Sequence, residues 1–252
     1  MKGQMIILKS ERELNYLRDA GRVVAETHRE VAKAVKPGVT TRQLDRIAEE
    51  YMRRKGAIPS FKGFKGFPAS ICTSVNEEVV HGIPGLRKLV NGDIISIDIG
   101  AMVNGYHGDA AVTLPVGEVE EEVERLLKVT QQALARGIEK AVVGNRLTDI
   151  SHAIQQYVES EGFSVVRDYV GHGIGRNMHE PPEVPNFGRP GRGPRLNHGM
   201  TLAIEPMVNM GTHEVMVKED NWTVVTRDNQ KSAHFEHTVA ITHDGPVILT
   251  RL

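Results

Sequence analysis

The feature that most constrains the fold of this chain is an internal repeat within its 252 residues. Two glycines and a tyrosine of the first half recur in the same order 106 positions later. Because several similarities keep a common order, they predict a duplicated structural unit. The matching segments are Gly38, Tyr51 and Gly56 with Gly144, Tyr157 and Gly162; His81-Gly82-Ile83 with His172-Gly173-Ile174; and 91–98 with 197–205, one position out of step.

Each half begins with two predicted helices. Ser10 with Glu13, and Thr40 with Gln43, form capping boxes ahead of apolar stripes at helical spacing. Helical patterns also cover 118–141 and 148–161, and strand-like sequence follows each helix pair. We therefore predict the α+β class, with two pseudo-symmetric helix–helix–antiparallel-sheet halves, roughly 10–115 and 116–252, around a central cleft.

Composition excludes several classes of protein. The formal net charge of −1 provides no electrostatic reason to expect DNA or a membrane as a partner. The single cysteine, Cys72, excludes an internal disulfide and a cysteine-rich zinc site. The first ten residues lack a signal-peptide pattern, and no stretch approaches 18 apolar residues. We expect a cytoplasmic protein.

A predicted hairpin brings two aspartates together. Asn104-Gly105 is typical of a two-residue turn between strands at 93–100 and 106–114. This turn pairs Gly100 with Asp109, so Asp98 lies diagonally beside Asp109 on the face opposite the isoleucines. A solvated strand face would also explain the two acids. However, like charges this close are destabilising unless something compensates for them.

Three further candidate residues lie in the second half. Glu205 and Glu236 are lone acids in apolar strand sequence, at repeat positions matching those of the two aspartates. A buried acid is costly unless it is paired or bound to a cation, and a structural ion pair with arginine is the alternative. His172, between two glycines, is predicted in a flexible loop entering the same region.

The predicted convergence of four carboxylates implies a metal centre. Four carboxylates in a semi-buried cleft would repel one another and become protonated. Two divalent cations would balance their charge, and oxygen ligands with one imidazole suit Co, Mn, Fe or Zn. Two metal ions a few ångströms apart form a hydrolytic device that activates water and polarises a carbonyl.

The motifs resemble those of the methionine aminopeptidase family, whose fold is called pita-bread, and the resemblance covers nearly the whole chain. Glu205 and Glu236 are only 31 positions apart, which leaves no room for the inserted subdomain of type II relatives, so the chain resembles type I. The motifs that carry the resemblance are Ser74-Val75-Asn76-Glu77, His81-Gly82-Ile83-Pro84, Asp98, His107-Gly108-Asp109, Gly171-His172-Gly173-Ile174-Gly175, Ile204-Glu205-Pro206-Met207-Val208 and Glu236-His237-Thr238.

The resemblance implies roles for these residues. Asp98, Asp109, His172, Glu205 and Glu236 would be the metal ligands, with Asp109 and Glu236 bridging two ions. A hydroxide between the ions would attack the carbonyl of an N-terminal methionine, with Glu205 also a candidate general base. His179 would contact the scissile carbonyl oxygen and His81 would lie near the amide nitrogen, although loop histidines often only bond to the backbone.

The resemblance also implies a substrate pocket and a second ion site. Asn76 and Ser232 match residues around a monovalent-cation site in relatives. The implied pocket contains three phenylalanines, at positions where some relatives have Tyr or Cys. These phenylalanines could instead be ordinary core residues. The methionine side chain would contact Phe61, Phe64, Phe67, Cys72, Met178 and Trp222.

The expected partner is the N-terminus of a nascent polypeptide with a small second residue, and the expected oligomeric state is a monomer. There are two alternatives of the same fold. An extra N-terminal domain would favour a proline-directed relative, and the loss of metal ligands would favour an inactive binding protein. Ribosome contact through basic loop residues is a further hypothesis, with solvated loop charge as the simpler interpretation. Those residues are Lys62, Lys65, Arg189, Arg192 and Arg195.

Overall fold

The computed structural model describes residues 5–252 and contains four α-helices in that range. Both predicted capping boxes are present. Glu13 Oε2 accepts from Ser10 N at 2.9 Å, and Thr40 Oγ1 accepts from Gln43 N at 3.2 Å. No helix among the described residues has both the length and the apolar character needed to cross a bilayer. The helices are α1 Glu11–Ala32, α2 Thr41–Arg54, α3 Glu121–Glu139 and α4 Leu147–Ser160, with a 3-10 turn at Phe64–Gly66.

The helix pairs confirm the sequence repeat. Helices α2 and α4 begin and end at positions that differ by the offset of the repeat. The Tyr51 hydroxyl donates to Glu26 Oε2 at 3.0 Å, which ties α2 to α1. In the second half, the equivalent Tyr157 hydroxyl donates to Gln132 Oε1 and ties α4 to α3. The same interhelical hydrogen bond therefore occurs in each half.

The strands pair antiparallel throughout the described residues and form four sheets. The sheets have the orders β1-β4-β2 with β5 beside β4, β13-β10-β6, β11-β12-β3, and β15-β14-β9-β7-β8. The strands are β1 Ile58–Pro59, β2 Cys72–Val75, β3 Glu78–Val80, β4 Ile94–Val103, β5 Tyr106–Pro115, β6 Ser164–Val165, β7 Gly171–Gly173, β8 Glu180–Val184, β9 Thr201–Ile204, β10 Met207–Asn209, β11 Val215–Val217, β12 Val224–Thr226, β13 Ser232–His234, β14 His237–Thr242 and β15 Gly245–Ile248.

Each half has its own hydrophobic core. In the first half, Val24 and Leu44 of α1 and α2 pack against the sheet with Ile97. In the second half, the apolar faces of α3 and α4 pack against β9, with Leu126 and Leu202 among the buried side chains. Burial of one such side chain contributes about 1.5–3 kcal/mol, so each half anchors its own sheet. The sheet faces that the helices do not cover border the cleft.

The hairpin has the predicted register. Val103 pairs with Tyr106 and Gly100 with Asp109, so the turn consists of the two predicted residues. The backbone φ is 53° at Asn104 and 77° at the following glycine, which is typical of a hairpin turn whose twist matches its strands. The two aspartates of the hairpin therefore lie on one face of β4 and β5.

Two strand predictions were wrong in one respect. The apolar sequence around Glu205 predicts one strand over 201–207, and that around Glu236 predicts one over 233–241. Neither is continuous, because β9 ends before Glu205 and β13 ends two residues before Glu236. After each break the chain moves between the sheet that contains β9 and β14 and the sheet that contains β10 and β13. Both acids therefore lie where the chain changes sheet, and the residue before Glu205 pairs with the residue after Glu236, Ile204 with His237.

The prediction of a flexible loop around His172 was also wrong. Residues Gly171–Gly173 form β7, paired with β8 and β9 and buried. A Cβ on Gly171 would lie 2.3 Å from the Ala203 carbonyl oxygen, and one on Gly173 would lie 2.3 Å from that of Pro181. These glycines allow neighbouring strands to approach closely, so they fix the imidazole in place.

Candidate metal centre

The five side chains predicted to bind metal meet where the two halves face each other. His172 Nε2 lies 3.9 Å from Asp109 Oδ2 and 3.6 Å from Glu205 Oε1. Possible ligand atoms of Asp109, His172 and Glu236 all lie within 4.8 Å of one another. Asp98 lines the same cavity as these four residues. The first half contributes two carboxylates, and the second half contributes two carboxylates and the imidazole.

Hydrogen bonds between the halves hold the backbone at Asp109 and at Glu236 in place. Thr238 Oγ1 accepts from Asp109 N at 3.0 Å and donates to Asp109 O at 2.8 Å. Glu236 N donates to the Ala111 carbonyl oxygen at 2.9 Å. The backbone next to each carboxylate is therefore bound to the opposite half, which fixes the separation of the two side chains.

One hydrogen bond determines which nitrogen of His172 is available. Its Nδ1 lies 2.9 Å from the Gly173 carbonyl oxygen, which can only accept, so Nδ1 carries the proton. Burial lowers the pKa of His172 to about 3, so the imidazole is neutral. Nε2 then presents a lone pair towards Asp109 and Glu205, as required of a histidine that binds a metal ion.

Ionisation of all four carboxyl groups is unfavourable unless a cation lies among them. Burial, followed by the charges of neighbouring acids, raises the pKa values of Asp98, Glu205 and Glu236 well above their ordinary range. The pKa of Asp109 is raised to about 7, mainly by burial. These shifts show that the protein environment opposes ionisation of all four groups, as the sequence argument expected.

The buried atoms of the cluster fit divalent cations. Three carboxylate oxygens are buried without a hydrogen-bond partner among the described residues: Asp98 Oδ1, Asp109 Oδ1 and Glu236 Oε1. Buried acceptors are rarely left unpaired, and a cation in their midst would satisfy all of them. The residues present therefore suit a hard or borderline divalent ion.

A cavity lies above the cluster, and every predicted catalytic, metal and pocket residue lines it. Lys65 also lines the cavity, although sequence reasoning assigned it only to a basic loop. The lining residues are Phe61, Phe64, Lys65, Phe67, Cys72, His81, Asp98, Asp109, His172, Met178, His179, Glu205, Trp222 and Glu236.

Aromatic contacts shape the cavity wall. The Phe67 and Trp222 rings meet edge to face with centroids 5.1 Å apart. The His179 ring stacks on Phe64 at 5.3 Å, and its centroid lies 4.0 Å from that of His172. The phenylalanines belong to an apolar cluster beside the cavity, and the His179 ring lies between Phe64 and the buried imidazole of His172.

Asn76 and Ser232 lie together but outside this cavity. Ser232 N donates to the Asn76 carbonyl oxygen at 2.9 Å. The Asn76 side chain donates to Asp93 Oδ1 at 2.8 Å and accepts from Ile94 N at 3.0 Å. The side-chain amide of Asn76 is thus occupied within the protein, and its role at a monovalent cation stays a prediction.

Sequence reasoning missed His234. Its ring forms a second possible metal-binding group with Glu205 and Glu236, in which one ligand atom of each lies within 4.8 Å of the others. Strand alternation could have identified it, because His234 is two residues before Glu236 and would share its face. The more obvious His237 instead contacts Thr250 Oγ1 at 2.9 Å, away from the cluster.

Comparison with known proteins agrees with this geometry. The family model for metallopeptidase family M24 matches residues 15–243. A methionine aminopeptidase of Clostridium acetobutylicum is 62% identical over 98% of this chain and 99% of its own length. The crystal structure of a Thermotoga maritima methionine aminopeptidase has a TM-score of 0.97 at 49% identity, covering 98% of this chain and 100% of that one.

The chain belongs to metallopeptidase family M24 and is therefore a hydrolase. Within that family it groups with the methionine aminopeptidases, as its motifs predicted. A prolidase from Pyrococcus furiosus is similar in fold alone, with a TM-score of 0.81 at 22% identity over 98% of this chain and 66% of that one. The prediction of the pita-bread fold is confirmed.

Proposed function

We propose that this chain removes the initiator methionine from the N-termini of nascent polypeptides. The observation that carries the proposal is the cavity floor, where four carboxylates converge with the free Nε2 of His172 beneath an aromatic wall. The similarity to relatives named methionine aminopeptidase supports the choice of substrate.

Five residues would hold two divalent ions, with Asp109 and Glu236 between the two. Co, Mn, Fe and Zn all suit this ligand set. When bound, such a pair supplies an activated water and polarises the carbonyl to be cleaved. The five residues are Asp98, Asp109, His172, Glu205 and Glu236.

Three side chains would act on the substrate itself. Glu205 is suitably placed to take the proton of the attacking water, because its carboxylate lies beside His172 and its pKa is raised by burial. His179, at the cavity rim, would donate a hydrogen bond to the scissile carbonyl oxygen and stabilise the charge that develops there. His81, whose pKa burial lowers to about 4, would be neutral and would relay a proton to the leaving amide nitrogen, accepting it on one ring nitrogen and releasing one from the other.

The aromatic wall would determine which residue is removed. A thioether packs favourably among aromatic rings, and Phe67, Trp222 and Met178 belong to one apolar cluster beside the cavity. A small second residue would be required because the cleft must close behind the scissile bond. Selection would therefore depend mainly on size and shape.

We also propose a single catalytic domain of 1–252 that acts as a monomer in the cytoplasm. Ribosome contact stays a separate hypothesis. Lys62 Nζ pairs with Glu49 Oε2 at 2.7 Å, so part of the basic loop charge is already neutralised within the chain.

A two-substrate assay tests the proposal. Chelator-treated protein supplied with Mn²⁺, Co²⁺ or Fe²⁺ should release methionine from Met-Ala-Ser and leave an Ala-Pro peptide intact. Cleavage of the Ala-Pro peptide instead would indicate a proline-directed enzyme. Inactivity on Met-Ala-Ser with all three ions would support a binding protein. Glu236→Ala should abolish nearly all activity, because it removes a proposed bridging ligand.

A further inference from the structure

His234 points into the metal centre, yet the proposed reaction assigns it no role. The residue is 1% exposed, and its Nε2 has no hydrogen-bond partner among residues 5–252. Glu205 Oε2 lies 3.6 Å from that nitrogen, just beyond hydrogen-bonding distance. A buried polar atom without a partner costs free energy, so the functional state should supply a partner.

The two oxygens of Glu205 face two different imidazoles. Glu205 Oε1 lies 3.6 Å from His172 Nε2, and Oε2 lies 3.6 Å from His234 Nε2. Because His172 carries its proton on Nδ1, its Nε2 and Glu205 Oε1 both offer lone pairs to the same point. The second carboxylate oxygen of Glu205, Oε2, lies on the side of His234. A hydrogen-bond donor there would give this oxygen a partner.

The backbone of His234 is clamped to the first half. His234 N donates to Thr113 Oγ1 at 2.8 Å, and the same hydroxyl donates to His234 O at 2.7 Å. Since Thr113 uses its proton on that carbonyl, Ser96 must be the donor in the 2.8 Å contact between the two hydroxyls. This chain of hydrogen bonds fixes the point from which the imidazole extends towards Glu205.

We propose that His234 is a positioning residue whose Nε2–H donates a hydrogen bond to Glu205 Oε2 and thereby presents Oε1 to the metal ion. The inference rests on the proposed function, because it takes Glu205 as a ligand. Hydrogen-bond partners of metal-binding side chains typically contribute roughly 10-fold to 100-fold in metal affinity. His234 itself keeps its proton and is not a ligand.

Two amide substitutions separate the nitrogen positions of the ring. The side-chain amide of His234→Gln reaches the place of Nε2 and keeps a donor there, whereas that of His234→Asn reaches only the place of Nδ1. Mn²⁺ is titrated calorimetrically into chelator-stripped wild-type protein and both variants. The glutamine variant should bind within about threefold of wild type, and the asparagine variant roughly 10-fold to 100-fold more weakly. If the asparagine variant does not fold, His234→Leu replaces it.

Two results would overturn the proposal. Wild-type affinity in the asparagine or leucine variant would show that the hydrogen bond is irrelevant. A loss in the glutamine variant equal to that in the asparagine variant, together with a changed visible spectrum of the Co²⁺-loaded form, would make His234 a direct ligand. Failure of the wild-type protein to bind Mn²⁺ would refute the proposed function itself, so the two failures are distinguishable.

Discussion

At the scale of the residue, His179 provides the sharpest test of the proposed chemistry. Its ring stacks on Phe64 at the cavity rim and does not join the group of possible metal ligands. We expect His179→Ala to lower kcat on Met-Ala-Ser by roughly 100-fold or more, because one donor to the developing oxyanion is lost. Steady-state kinetics measure this effect, and Mn²⁺ affinity should stay at the wild-type value.

The matched control for His179 is His152→Ala. His152 lies on α4, outside the catalytic cavity, and its substitution should leave kcat unchanged. A normal rate in the His179 variant would remove this residue from the mechanism. A fall in metal affinity there would instead assign it to the metal centre.

At the scale of the element, the close contact of α1 with β5 should limit which residues the hairpin tolerates. A Cβ on Gly108 would lie 2.7 Å from the Gly21 backbone nitrogen of α1. Gly108→Ala should therefore lower the free energy of unfolding by about 1–3 kcal/mol, since neither backbone can move away easily. Urea denaturation of the metal-free protein measures the change.

A second glycine supplies the control for this prediction. A Cβ on Gly85 would meet no heavy atom closer than 3.9 Å, at the Ile83 carbonyl oxygen. Gly85→Ala should thus leave the unfolding midpoint unchanged or raise it slightly, because the unfolded chain loses freedom. Equal midpoints in the two alanine variants would contradict the packing argument.

Elements set by local chemistry were predictable from the sequence. Asn104 and the glycine after it fixed the hairpin register because their left-handed conformation determines the turn. Gly38 and Gly144 end corresponding segments with φ of 91° and 95°, which explains why the repeat retained them. The strand break at Glu236 was not predictable, because an apolar run does not reveal that the chain changes sheet. The break at Glu205 had a signal in Pro206, which cannot donate to a strand ladder.

At the scale of the whole molecule, metal binding should stabilise the folded chain, because the proposed ligands come from both halves. Mn²⁺ at 100 times its dissociation constant would add about 2.7 kcal/mol. For a chain of this size that corresponds to a rise of about 5–10 °C in Tm. Thermal unfolding with chelator and with Mn²⁺ measures the difference. A rise of the same size in Glu236→Ala would contradict the ligand assignment.

The convergence of the two halves was predictable to the extent that the repeat placed acids at matching positions. Asp98 and Glu205, one from each half, line one cavity as that argument required. The individual roles came from resemblance to a family, because spacing cannot tell a bridging ligand from a terminal one. Strand alternation would have placed His234 beside Glu236, but its approach to Glu205 was hidden because the two residues are distant in sequence.

The duplication has a directional consequence. Two identical copies of one half, related by a twofold axis, would offer a peptide the same surroundings whichever end entered first. In this chain the two repeat-related histidines have unlike surroundings: His172 Nε2 lies 3.6 Å from Glu205 Oε1, whereas the His81 ring meets the rings of Tyr169 and Trp222 edge to face. Divergence of the halves has thus given the cleft a polarity, and a catalyst that trims one terminus of a chain needs a cleft with two unlike ends.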